Sequence, residues 1–126
     1  MWLGVEDVSQ VTVRYPVLSK KEVIEKLRQA YVRLEKKLSM SKMILYGSYA
    51  LDRYTTGSDI DVLVVYRGRA REDAYKLVVT EVALPRLEPR IYTEEGFTAL
   101  KMRSPRFAQI LEKEGVVISE AERREL

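Results

Sequence analysis

The chain has 126 residues, 22 basic and 19 acidic, for a net charge of +3; that length suits one compact domain, and so small an imbalance gives no reason to expect direct nucleic-acid binding. It contains neither His nor Cys, which excludes a disulfide framework, a thiolate metal site, a Ser-His-Asp triad and the usual imidazole base. No stretch approaches the ~20 apolar residues of a membrane span, and Met1 to Asp7 lacks the basic and apolar regions of a signal peptide, so a cytoplasmic location is expected.

Residues 1–18 read as an N-terminal extension, in which Val11, Val13 and Tyr15 alternate with polar residues as in a short strand. Ser19 with Glu22 three residues later predicts a capping box, and Val23, Leu27, Tyr31, Leu34 and Leu38 mark one face of the helix it opens. Met43 to Tyr46 reads as a buried strand, followed by a Gly47-Ser48 turn and a short helix or turn over Tyr49 to Arg53. Thr55 to Ser58 is a loop. Asp59 to Tyr66 reads as the central strand, apolar enough for burial on both faces. A helix is expected over Ala70 to Ala83, with Ala74, Leu77 and Val78 facing inward. Arg90 to Tyr92 reads as a third strand, and Glu94 to Met102 as a helix weakened by Gly96. Ser104 and Pro105 open a last helix, and Gly115 stops it after Glu114. Val116 to Ile118 is too short to assign, and residues 119–126 read as a charged tail. The absence of Asn and the high charged fraction of 33% point to a thermophilic source.

The informative stretch runs from Ile44 to Val65. A first apolar run ends in Gly47-Ser48, ten residues intervene, and a second run opens with Asp59-Ile60-Asp61. Side chains at i and i+2 of a strand share a face, so Asp59 and Asp61 sit side by side. Two adjacent carboxylates call for a cation. Mg²⁺ fits, since it binds through one or two carboxylates plus substrate phosphates. Gly47 allows close approach to a ligand, and Ser48 adds a hydroxyl. Two-metal displacement at phosphorus takes a further carboxylate on a neighbouring strand, and Glu88 is the candidate. One cation would then activate an attacking hydroxyl, and the other would hold the triphosphate.

Gly-Ser, ten residues, Asp-x-Asp resembles the motif of the DNA-polymerase-β-like nucleotidyltransferases. The short chain is similar to their minimal (MNT) branch, strongly from Met43 to Tyr66 and more loosely to Ile118. The resemblance implies an α/β (α+β) nucleotidyltransferase fold, a small mixed β-sheet with helices packed against it. It implies metal binding by Asp59 and Asp61, nucleotide phosphates at Gly47 and Ser48, and Glu88 as third carboxylate. It also implies transfer of AMP from ATP, with Mg²⁺ or Mn²⁺, to a hydroxyl acceptor. Many members of the branch pair with a HEPN-type protein as a toxin–antitoxin system, so such a partner is expected to carry the acceptor. Self-association stays open. One departure stands out: where the family often has Arg-Gly after the alanine, this sequence has Leu51-Asp52. Arg53 is the candidate to replace that cation at the phosphates, although a surface position is the plainer reading.

Several features have plain readings. Tyr46 and Tyr49 suit core packing, and the Arg67, Arg69 and Arg71 cluster suits a solvated turn. Two other functions stay in view. One is a non-catalytic subunit that neutralises a partner by binding it. The other is small-molecule modification, which usually takes an extra substrate-binding domain.

Overall fold

The structure, a computed structural model, describes residues 17–121. The strand expected at Val11 to Tyr15 and the end of the charged tail lie outside the described residues. Among the described residues the order is α1 (Lys20–Leu34), β1 (Met40–Tyr46), β2 (Ile60–Tyr66), α2 (Ala74–Val82), β3 (Leu87–Thr93), α3 (Glu94–Arg103), α4 (Pro105–Glu114) and β4 (Val116–Glu120). The strands form one mixed sheet in the order β3-β2-β1-β4. β1 runs antiparallel to both β2 and β4, and β2 runs parallel to β3 through the α2 crossover. This is the α+β fold expected from the sequence. None of the described helices is long and apolar enough to cross a membrane.

α1 opens on the expected capping box, with Ser19 Oγ accepting from Glu22 N and Glu22 Oε1 accepting from Ser19 N. Its buried stripe of Val23, Leu27, Ala30, Tyr31 and Leu34 packs on one face of the sheet, against Met43, Leu45, Val62 and Val64. Ala74, Val78 and Val82 of α2 join this larger core. The opposite face carries Ile44, Leu63 and Val65 under Phe97 and Leu100 of α3 and Leu111 of α4. The apolar run of β2 is therefore buried on both faces, as its composition demands.

Several boundaries move from their sequence positions, each for a local reason. β1 starts at Met40 because Ser41 is absorbed as an irregularity in the ladder, where its hydroxyl donates to Glu94 Oε2 at 2.8 Å. α2 starts late, at Ala74: the Asp73 carboxylate is held by the Arg71 guanidinium at 2.8 and 3.0 Å and caps nothing. β3 is longer than expected and runs through Pro89, which an edge strand accepts because no ladder bond is lost on its outer side. Val116 to Glu120 forms the opposite edge strand, so Ser119 and Glu120 belong to the sheet and not to a tail. Gly115 ends α4 in an extended conformation (φ −74°). What requires glycine there is space: a Cβ would lie 2.5 Å from Leu111 O and 2.7 Å from Ile44 Cγ2.

Candidate active site

Strand direction brings the candidate residues to one end of the sheet. β1 finishes where β2 begins, because the two are antiparallel. β3 begins there too, because it is parallel to β2. The register aligns Tyr46, Asp61 and Glu88 in one row across three strands. Asp59 lies just before β2 and is exposed, whereas Asp61 is half-buried. Burial raises the Asp61 carboxyl above the ordinary aspartate range, and the nearby Asp59 and Glu88 push it further; Arg90 works against them. The Tyr46 phenol, also pushed up by burial, reaches about 12, with Arg90 opposing and Asp61 adding to the shift.

Gly47 has φ +78° and packs against Asp61 so closely that a Cβ would collide with the carboxylate, 3.1 Å from its Cγ. The glycine is thus demanded twice, by its left-handed backbone and by the carboxylate beside it. From Gly47 the chain makes one helical turn, with Leu51 N donating to Gly47 O. The turn closes through Asp52 N to Tyr49 O and Arg53 N to Ser48 O, the pair of bonds of a Schellman ending. Asp52 occupies the left-handed position of that ending (φ +60°), where glycine is commonest and aspartate is among the tolerated residues. The Leu51-Asp52 departure therefore keeps the turn's backbone. A cation does reach this turn, but from α1: Lys20 Nζ donates to Ala50 O at 2.9 Å and to Asp52 Oδ2 at 3.4 Å. Nearby, Tyr49 donates to Leu18 O and stacks on Tyr54, ring centroids 4.2 Å apart. Tyr46 packs edge-on against Phe107. Both tyrosines are packing residues, as their plain reading had it.

Arg53 is exposed, and its ordered contact is the backbone bond to Ser48. The cations beside the carboxylates are two others, Arg86 and Arg90. Arg86 Nη2 lies 3.5 Å from Asp59 Oδ1 and donates to Gly57 O at 2.6 Å. The Arg90 guanidinium lies over the Phe107 ring, 4.8 Å from its centroid. Neither stood out in the sequence, because each comes beside the carboxylates only once β3 is paired with β2. Lys20 gave no local signal, since it comes from a distant segment.

Among the described residues no three carboxylates are gathered tightly enough to hold a metal ion together. Asp59 and Glu88 each lie near enough to Asp61 to act on its carboxyl, and Asp59 is engaged by Arg86. The donor set fits a hard cation bound by one or two carboxylates with phosphate oxygens completing its shell. The glycine cradle and the raised Asp61 carboxyl fit it as well. A separate groove of about 800 Å³ opens at the other end of β1 and β2, lined in part by Ser41, Lys42, Arg67, Glu94 and Phe97. Four of its polar groups are engaged in pairs, Lys42 with Glu120 and Ser41 with Glu94. The carboxylate row, where like charges converge, is the better place for chemistry.

The nucleotidyltransferase domain family model matches residues 20–118. The chain belongs to the nucleotidyltransferase domain family. Three solved structures share its fold. A candidate nucleotidyltransferase from Sulfolobus solfataricus superposes with a TM-score of 0.53 at 14% identity, covering 80% of this chain and 83% of that one. A toxin–antitoxin complex with AMP-PNP gives 0.52 at 16%, covering 75% and 74%. A mutant of the toxin–antitoxin MntA–HpeT gives 0.51 at 14%, covering 83% and 76%. No curated protein matches the chain. In this nucleotidyltransferase the matched region spans the Gly47 turn, the carboxylate row and both cores.

Proposed function

We propose that the chain, working as one catalytic domain, transfers a nucleoside monophosphate from an NTP to a hydroxyl of a partner protein. ATP is the first choice of donor, and a HEPN-type protein is the first choice of acceptor. The acceptor oxygen forms a bond to the α-phosphorus, the bond from that phosphorus to the bridging oxygen of the β-phosphate breaks, and pyrophosphate leaves. The acceptor's proton passes to a base or to water. The row of Tyr46, Asp61 and Glu88 with Gly47 against Asp61 carries this reading, because it joins a glycine turn to a carboxylate pair at one strand end. Asp59 and Asp61 would hold Mg²⁺ or Mn²⁺, with Glu88 beside them. The metal would supply charge neutralisation at the phosphates and lower the acceptor's pKa. Gly47 and Ser48 would admit the phosphates to the turn. The fold likeness to toxin–antitoxin complexes, one with AMP-PNP, supports a protein partner and an adenine nucleotide.

The test uses α-labelled ATP, Mg²⁺ or Mn²⁺, and the protein encoded beside this one. Label should move to that protein, and Asp59→Asn or Asp61→Asn should abolish the transfer. Full activity of either variant would refute the carboxylate assignment, and no transfer with either metal would refute protein modification. The engagement of Asp59 by Arg86 favours one second reading, a subunit that neutralises its partner by binding alone. That reading requires Asp59→Asn to neutralise the partner as well as the wild type does.

A further inference from the structure

Arg86 stands at the head of β3, one residue before Leu87, which pairs with Ile60 in the register. Its carbonyl accepts from Ile60 N at 2.8 Å, so its backbone is fixed beside Asp59. Its φ is +60°, a left-handed conformation that is uncommon for arginine and marks a position held by its surroundings. Its Nη2 contacts both Asp59 Oδ1, at 3.5 Å, and Gly57 O, at 2.6 Å. The first contact is long, and both side chains are about half exposed, at 53% and 50%. Such a pair holds weakly against water, so a divalent cation arriving at Asp59 would displace it readily. The second contact is short and does not involve the carboxylate. It would keep the guanidinium at the mouth of the site after Asp59 had changed partners.

We propose that Arg86 is a partner-switching cation: it neutralises Asp59 in the metal-free protein and turns to the nucleotide's phosphates once metal occupies Asp59. The inference rests on the reading of Asp59 as a metal ligand. It gives Arg86 the phosphate-side role for which Arg53 was the candidate in the sequence. Guanidinium suits the role, because its planar fork meets two phosphate oxygens at once. Charge also favours it. Asp59, Asp61 and Glu88 repel a triphosphate, and Arg86 is the cation bonded to that row.

Equilibrium binding of Mn²⁺ alone, and of AMP-PNP in the presence of Mn²⁺, tests this on the wild type, Arg86→Gln and Arg86→Lys. Arg86→Gln should weaken AMP-PNP by about tenfold, the loss of one charge-assisted contact, while Mn²⁺ alone binds at least as tightly as before. Arg86→Lys, which keeps the charge without the fork, should fall between the two and decides the matter if the Gln variant folds poorly. Unchanged AMP-PNP affinity in Arg86→Gln would overturn the proposal. So would an equal loss of Mn²⁺ and AMP-PNP, which would make Arg86 only a clamp on the Gly57 loop. A wild type that binds both ligands while the variant is unaffected strikes Arg86 alone. A wild type that binds neither strikes the nucleotidyl-transfer reading as well.

Discussion

Burial and two neighbouring carboxylates work against a charge on Asp61. Its pKa in the folded protein is raised, so the folded state binds a proton more tightly than the unfolded chain does. The sign follows: metal-free stability should fall as pH rises from the ordinary aspartate value through the raised one, and stay lower above it. Asp61→Asn removes that penalty. The variant should melt higher than the wild type at neutral pH without metal, and thermal melts across the acid range read the difference directly. Saturating Mn²⁺ should raise the wild-type midpoint and leave that of the variant nearly unmoved. A variant that melts lower without metal would mean that the carboxylate is stabilised by contacts that outweigh the repulsion.

Elements show where sequence alone sufficed. The capping box of α1 and the doubly buried run of β2 were legible because each depends on residues close in sequence. The Gly47-Ser48 turn with its Asp59-x-Asp61 partner was legible because its spacing is fixed within one hairpin-like segment. β4 was not, since Val116 to Ile118 becomes a strand only by pairing with β1, far back in the chain. The reach of β3 was hidden by Pro89, which reads as a breaker until the strand is known to lie at an edge. The cations at the site were hidden for the same reason: Arg86 meets Asp59 only after the crossover has formed. The junction of α4 and β4 gives a further expectation. Gly115→Ala would press a methyl group into Leu111 O and Ile44, and urea unfolding should find it less stable by about 1–3 kcal/mol. Metal binding should be retained, since β1 lies between this junction and Asp61.

At the scale of the whole molecule, the sheet separates two unequal cores. α1 and α2 cover the larger, α3 and α4 the smaller, and the carboxylate row lies on the smaller side with Leu63 and Val65. The parallel pairing of β2 with β3 also governs the order in which the molecule is made. Parallel neighbours cannot meet through a tight turn, so the chain must first lay α2 across the sheet, and contacts so distant in sequence form slowly. In pulsed hydrogen exchange during refolding, the β1–β2 amides should gain protection before those of β3. Simultaneous protection would show that the sheet closes in one step. On the expected order, Asp59 and Asp61 stand side by side unrelieved for part of every folding event, until Arg86 arrives with β3. The chain would then be unable to take up nucleotide before it is nearly complete, and a partially folded molecule would carry no premature activity.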